Sequence, residues 1–183
     1  MWYYMILADC FADNAYSGGD DVDINNVFLR DLTPRNAVVM KSWKSLYGSI
    51  MRCNVALKYI PQINDPLLDA EAFTGVSKRE EMLGEASFLR ALHYFNLVKT
   101  WGCVPVVTTT GSTAPADVQV PRADSEEEVY ARIIEDLEFA LTRLPDKRAT
   151  EAETRGFASK GAVKRFVCKS VCNERCTRQC RMG

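Results

Sequence analysis

The four cysteines near the carboxyl end of this 183-residue chain have the most suggestive spacing for binding chemistry. Three residues separate each from the next, in the order Cys168, Cys172, Cys176 and Cys180. Residues four apart share a face of a helix, and grouped thiolates favour soft metal ions. A helix would nevertheless spread the four over about 18 Å, which is too far for one ion. We therefore predict no metal site. Disulfide pairing stays open, because a cysteine-rich tail would oxidise in an exported chain.

Histidine and aspartate, which could also catalyse or bind ions, lack suitable partners in this sequence. His93 is the only histidine, and no Ser, Cys or Asp stands near it in a nucleophile motif. We predict that it is a hydrogen-bonded interior side chain and not a general base. Asp20, Asp21 and Asp23 alternate as in a calcium loop, but the other ligand positions of such a loop are missing, which favours solvated turn residues. The sequence predicts no catalytic residue, no metal and no cofactor.

The helix that carries His93 is predicted to be buried on most of its sides. Between Phe88 and Val98 almost every residue is apolar, and the polar residues fall at a spacing of three. A step of three drifts by about 60° around a helix, so these residues spiral and do not line one solvated face. Some of Arg90, His93 and Asn96 must therefore be buried and need partners there.

Capping signals and periodic apolar residues define the helices. Ser77 with Glu80 forms a capping box before the central helix, and Gly102 supplies its left-handed exit. Ser125 with Glu128 forms a second capping box. Apolar residues in helical register predict further helices at residues 1–13, 39–60, 129–144 and from 158 on, separated by long loops at 14–34, 108–124 and up to Gly156. From Cys168 on no Leu, Ile, Phe, Tyr or Trp occurs, so the second of two helix hairpins is predicted to be unfinished.

The charge balance changes along the chain. Residues 155–183 contain eight Lys or Arg and one acidic residue, Glu174, whereas residues 1–154 contain 15 basic and 23 acidic residues. The net charge of -1 gives no strong attraction to nucleic acid or to an acidic membrane surface. We predict a helical domain over residues 1–164 and a basic, cysteine-rich tail over residues 165–183 that is out of frame or disordered. No apolar run is long enough to span a membrane, and the first residues lack the basic start of a signal peptide, so we expect no export signal in this chain.

The segment from Gly84 to Pro105, GEASFLRALHYFNLVKTWGCVP, resembles the hallmark helix of the SusD/RagB family. Members of that family are surface-exposed outer-membrane lipoproteins of Bacteroidetes-type bacteria. The resemblance covers about residues 36 to 164 and then stops, which agrees with an out-of-frame tail. Outside the segment it rests on Trp43, Tyr47, Ile50, Asn54, Val129, Tyr130, Ile133, Asp136, Leu137, Ala140, Leu144 and Pro145, and on the small residues from Gly156 to Lys164.

The resemblance implies an all-α fold of tetratricopeptide-like antiparallel helix hairpins with long loops, incomplete at both ends because family members run to several hundred residues. It implies capture of glycans or other nutrients without catalysis, with a SusC-like TonB-dependent transporter as partner. The expected location is the outer surface of the outer membrane, through a lipid anchor that this chain lacks. A helical-repeat scaffold for protein–protein interaction is the alternative. A redox or metal protein built on the tail cysteines is a third.

No motif of the family locates the ligand here, so the candidate binding residues come from the chemistry of sugars. Sugars bind aromatic rings flanked by amides and carboxylates. The loop at residues 14–34 offers this combination, and loops of such length in compact domains are often functional. The candidate ligand-binding residues are Tyr16, Asp20, Asn25 and Asn26.

Overall fold

The computed structural model describes residues 2–12, 15–16, 18–73, 75–110, 120–146 and 156–182. Its helices and strands are α1 (Trp2–Phe11), α2 (Val22–Phe28), α3 (Ala37–Tyr59), a 3₁₀ turn (Ile60–Gln62), α4 (Pro66–Asp69), β1 (Glu71–Phe73), β2 (Val76–Ser77), α5 (Lys78–Trp101), α6 (Glu126–Arg143) and α7 (Lys160–Met182). Helices dominate the described part of the chain, which confirms the predicted all-α class. The chain divides into two compact units, residues 1–48 and 49–183, so α3 begins in one and ends in the other.

In the first unit, α1 packs against α2, and Asn36 joins α2 to α3. Leu7 of α1 and Val27 of α2 are buried. The Asn36 side chain donates from Nδ2 to the Asp23 carbonyl at 2.8 Å and accepts through Oδ1 from the Val38 amide at 2.9 Å. A side chain that accepts from a first-turn amide is an N-cap, so Asn36 sets where α3 begins.

The prediction of an irregular loop over residues 14–34 is wrong in its middle, which α2 occupies. Oδ1 of Asp21 accepts hydrogen bonds from the amides of Asp23 at 2.9 Å and Ile24 at 3.2 Å. Asp21 is therefore exposed, as predicted, but it is the N-cap of a helix and not part of an irregular loop. This helix has only seven residues, too few for an apolar period to stand out in the sequence.

The second unit is built around α5, as predicted. Ala91, Tyr94 and Leu97 have no exposed surface and Phe95 is almost completely buried, whereas Leu89 on the outer side is 45% exposed. Along α6 the predicted apolar stripe is confirmed, because each of its members is fully buried: Val129, Ile133, Leu137, Ala140 and Leu144. The helices pack in chain order, α5 with α6 and α6 with α7.

The two ends of α5 follow the predicted capping chemistry with one difference. The Ser77 hydroxyl accepts from the Glu80 amide at 3.3 Å, which confirms the N-cap. Gly102 has the positive φ that was predicted, +68°, but its ψ of -128° lies outside the left-handed helical region. The antiparallel hairpin of β1 and β2 leads directly into α5 and was not predicted. Strands of two and three residues are too short to show alternation in a sequence.

The second predicted capping box is wrong. The Ser125 side chain makes no capping hydrogen bond at the start of α6. Glu128 instead accepts, through Oε2, a hydrogen bond from the Asp124 amide at 3.1 Å. The glutamate thus reaches back to the backbone before the helix, as in a capping box, while the serine half of the motif is not formed.

Helix α7 continues past the point where its aliphatic residues end. The Phe166 ring lies 6.0 Å from the Phe88 ring and 4.9 Å from the Phe95 ring, in edge-to-face geometry. Further along, Nδ2 of Asn173 donates to the Tyr130 hydroxyl at 2.9 Å. The second hairpin therefore has a longer partner helix than the sequence pattern indicated.

The predicted domain boundary between residues 164 and 165 lies inside α7. The helix includes residues 165–182, for which disorder was one of the two interpretations. The boundary and the out-of-frame origin of the tail stay predictions. None of the helices in the described ranges combines the length and the apolar character that crossing a membrane requires.

Candidate functional site

A buried ion pair joins α5 to α6. Nε and Nη2 of Arg90 donate to the two carboxylate oxygens of Asp136, each at 2.7 Å. The third nitrogen, Nη1, donates to Oδ1 of Asn54 at 2.7 Å. Arg90 is 6% exposed, and the other two residues are 2% exposed. A bidentate guanidinium–carboxylate pair is among the strongest hydrogen-bonded arrangements in proteins, so this cluster fixes the register of the two helices.

The same cluster fixes the extended segment that follows Gly102. Asn54 donates from Nδ2 to the Val107 carbonyl at 2.8 Å. The Tyr94 hydroxyl donates to that carbonyl at 2.9 Å and accepts from the Val107 amide at 2.7 Å. Burial raises the pKa of Tyr94 to about 12, so the hydroxyl keeps its proton and can donate. Each named group already has a protein partner, which marks the cluster as structural.

Two further titratable groups in the second unit are shielded from solvent. Burial raises the pKa of the Cys53 thiol, against the effect of the nearby Arg90. Burial lowers the pKa of His93 below 6.5, so the ring is neutral at neutral pH. Nδ1 of His93 has no hydrogen-bond partner among the described residues. The prediction of a hydrogen-bonded interior histidine is therefore wrong for this nitrogen.

The predicted ligand-binding residues lie in the first unit, around α2. Tyr16 is 78% exposed, and its ring meets the Phe28 ring edge to face at 5.2 Å. Asp20 is exposed on the segment before the helix. Asn25 and Asn26 lie on α2 and not on a loop, which corrects the prediction. Both asparagines are half-buried.

The structure brings three of these four residues to one region. Nδ2 of Asn25 donates to the Gly19 carbonyl at 3.2 Å, directly before Asp20. A Cβ atom added to Gly18 would lie 3.8 Å from the Tyr16 ring, so the ring passes close to this glycine pair. Asn26 follows Asn25 by one position and therefore points about 100° away around the helix.

Two residues that shape this surface were not predicted. Phe28, the last residue of α2, supports the Tyr16 ring, which lies before the helix begins. The spacing of the two residues in the sequence does not reveal this contact. Arg30 ends α2 with φ of +61°, a conformation that favours glycine. The Arg30 amide donates to the Val27 carbonyl at 3.2 Å and the Asp31 amide donates to the Asn26 carbonyl at 2.9 Å. These two bonds form a Schellman cap, which a sequence with Arg in place of Gly does not signal.

An exposed and supported aromatic ring beside a carboxylate can stack on a sugar ring and accept hydrogen bonds from its hydroxyls. The described residues hold no group of three or more His, Cys, Asp or Glu side chains that could bind a metal ion. Asp21 uses its carboxylate as a helix cap, which removes it from any calcium site in this loop. The surface around Tyr16 is thus better suited to a neutral hydroxylated ligand than to an ion.

Sequence comparison links the chain to outer-membrane binding proteins. The SusD-like family, described as starch-binding and associating with the outer membrane, matches residues 8–169. One SusD-like protein of Formosa agariphila is 33% identical over 122 residues, which are 67% of this chain and 22% of that protein. A second SusD-like protein of the same bacterium is 29% identical over 150 residues, 81% of this chain and 27% of that protein. The chain spans about a quarter of the length of these relatives.

Solved structures have the same fold. A SusD superfamily protein from Parabacteroides distasonis is 27% identical, with a TM-score of 0.71 over 92% of this chain and 33% of that one. A laminarin-binding SusD-like protein is 23% identical, with a TM-score of 0.72 over 97% of this chain and 40% of that one. The family match extends over most of the chain, and these structures share its fold. The chain belongs to the SusD-like family.

Proposed function

We propose that this chain serves in the capture of a glycan or similar nutrient at the outer membrane, without catalysis and as the partner of a SusC-like TonB-dependent transporter. The single observation that carries the proposal is the match of residues 8–169 to a family described as starch-binding and associating with the outer membrane. The fold shared with a laminarin-binding protein supports it. The chain spans only part of its relatives, so other parts of such proteins can add to the binding surface.

Within the described residues, the Tyr16 surface suits this role best. Its ring is largely exposed yet held by Phe28, so little side-chain freedom is lost when a sugar stacks on it. Asp20 adds an acceptor for sugar hydroxyls, and Asn25 holds the Gly19 backbone next to it. Pre-organisation of this kind favours binding without any chemical step.

Calorimetric titration with soluble starch and with laminarin tests glycan capture. We expect wild-type chain to bind at least one of the two, and Tyr16→Ala to weaken that binding about tenfold, which corresponds to roughly 1.4 kcal/mol. Tyr59→Ala is the matched control, because Tyr59 is also an exposed tyrosine but lies in the second unit. Equal loss in both variants would argue against a site at Tyr16, and no heat with any neutral glycan would contradict capture itself.

The partnership with a transporter needs its own experiment. Co-elution of this chain with a purified SusC-like transporter on size-exclusion chromatography is the expected result. Elution of the two proteins as separate peaks at concentrations of about 10 µM would mean that any contact is weaker than about 7 kcal/mol or needs other parts of the protein.

A protein-binding scaffold is the second candidate, favoured by exposed apolar side chains between the end of α3 and α4. Tyr59, Ile63 and Leu67 are 47%, 46% and 78% exposed. The three residues lie within nine positions of one another in the chain, and large exposed apolar patches often mark protein contacts. Replacing Ile63 and Leu67 by Ser would abolish partner binding on this hypothesis and leave glycan binding unchanged.

A further inference from the structure

The outer face of α7 carries two free cysteines that glycan capture does not use. Cys168 and Cys172 are exposed, and neither forms a disulfide. The opposite face of the helix is docked, because Val163 and Ser170 are fully buried and Phe166 contacts two rings of α5. The docking holds α7 in one orientation, so both thiols face solvent in a fixed relation to each other.

The helix sets a distance between these thiols that suits a bridging ion better than a disulfide. Cβ atoms four residues apart on a helix are separated by about 5–6 Å. A disulfide needs Cβ atoms about 3.5–4.5 Å apart, so the helix opposes a bond between Cys168 and Cys172. An ion that binds each sulfur at about 2.3 Å can span about 4.6 Å between the sulfurs. Rotation about χ1 changes the separation of the two sulfurs, and about 4.6 Å lies within the range that this Cβ spacing allows.

The number of available ligands selects the class of ion. In the part of the chain that the structure describes, no three His, Cys, Asp or Glu side chains are grouped around one point. Structural zinc sites use four protein ligands, so a pair of thiols does not make one. Cu(I) is a soft ion that prefers thiolates and is stable with two sulfur ligands in a line. Four cysteines along the helix span about 18 Å, which is too far for one ion, but two cysteines one helical turn apart are close enough.

The charges around the pair suit the complex that would form. Binding of one Cu(I) releases one proton from each thiol and leaves a bis-thiolate complex with a single negative charge; no electron is transferred. Two exposed basic residues, Lys164 and Arg165, lie within a helical turn of Cys168. Positive charge at this range stabilises the anionic complex.

We propose that Cys168 and Cys172 bind one Cu(I) ion as a linear bis-thiolate on the exposed face of α7. Cys176 and Cys180 follow at the same spacing in the sequence and carry the same thiol group. The variant Cys176→Ser/Cys180→Ser therefore isolates the pair under test.

The test is an anaerobic competition for Cu(I) between the whole chain and a coloured Cu(I) chelator, with a phosphine as reductant. The Cys176→Ser/Cys180→Ser variant is expected to take up one Cu(I) per chain. Its apparent affinity should rise about a hundredfold per pH unit while both thiols are protonated, because two protons are released. Adding Cys168→Ser or Cys172→Ser should lower the affinity at least tenfold.

Cys103→Ser is the matched control, since Cys103 is a half-buried free thiol outside α7, and it should leave Cu(I) uptake unchanged. Far-UV circular dichroism should show the same helix content in every variant. The proposal is overturned if the Cys176→Ser/Cys180→Ser variant takes no Cu(I) from the chelator, or if removing Cys168 leaves its affinity intact. A rise of only about tenfold per pH unit would mean one thiolate and would also overturn it.

Discussion

Helices α5 and α7 both pack against α6, and they bury polar groups in opposite ways. On α5, Arg90 meets the Asp136 carboxylate of α6 in two hydrogen bonds of 2.7 Å. On α7, Ser170 is fully buried, and its hydroxyl has no hydrogen-bond partner within the described ranges. A buried polar group without a partner costs free energy, whereas a paired one costs little or stabilises.

Helix α7 therefore docks through a few apolar contacts without a polar partner for every buried group. The rings of Phe166, Phe88 and Phe95 hold the first half of α7 in place. Beyond them come Ser170 and then Asn173, which reaches the Tyr130 hydroxyl. The match to the SusD-like family ends at residue 169, just before these polar positions. The α5 interface, by contrast, lies wholly within the matched range.

The largest expected effect comes from removing the ion pair between α5 and α6. Asp136→Ala leaves Arg90 buried without its carboxylate, so we expect a loss of about 3–5 kcal/mol in the free energy of unfolding. Urea denaturation followed by circular dichroism measures it. Glu135→Ala is the control, because the Glu135 side chain is 69% exposed and its pair with Arg132 is worth at most about 1 kcal/mol. A similar small cost for both variants would remove the distinction between the two interfaces.

A second change tests how closely α5 approaches α6. A Cβ atom on Gly84 would lie 2.9 Å from Cβ of Arg143 and 3.3 Å from Cγ of Leu144, so Gly84→Ala should cost about 1–3 kcal/mol. The same substitution at Gly48 on α3 meets no atom within 4 Å and should gain about 0.5–1 kcal/mol, because alanine favours the helix. Urea titrations of both variants give the two signs. A gain at both sites would show that the helices can move apart freely.

A third change tests the buried Ser170 hydroxyl on α7. Ser170→Ala removes the unpaired hydroxyl and should raise the free energy of unfolding by about 1 kcal/mol. Ser77→Ala removes a hydroxyl that caps α5 and should lower it by about 1 kcal/mol. Thermal unfolding of the two variants should therefore shift in opposite directions. Destabilisation by Ser170→Ala would mean that this hydroxyl has a partner after all.

The smallest expected effect concerns pH and the α5 residue His93. Burial lowers the pKa of His93 in the folded chain below the value of 6.5 that applies when it is unfolded. At about pH 8 both states are neutral, and His93 contributes no pH dependence. As the pH falls below 6.5, the unfolded chain binds a proton that the folded chain does not, so stability declines. Between about pH 8 and about pH 5.5 the wild type should therefore lose more unfolding free energy than His93→Gln does. Parallel curves would show that His93 is solvated.

For the candidate site, the structure agrees with the predicted location of two residues and differs for the other two, and their role in binding stays a prediction. Tyr16 and Asp20 were placed on an irregular segment, and both are indeed exposed there. The two asparagines were expected on a loop and lie on a helix instead. Phe28 was missed because its contact with Tyr16 depends on how the chain turns before α2, and no periodic pattern records that turn.

What the sequence determined by itself is the set of long helices and the fold family. Helical periodicity over many residues and a serine N-cap are local features, and local features are encoded within a few residues of each other. The sequence also required that a buried Arg90 find partners, because an unpaired buried charge is too costly to persist.

The partners that Arg90 finds depend on the tertiary structure. Asn54 and Asp136 lie 36 and 46 residues from Arg90 in the chain. It also decided that α7 docks with Ser170 in its buried face. Such contacts depend on the relative position of whole helices, and that position is a compromise among all the packed side chains, so no single stretch of sequence encodes it.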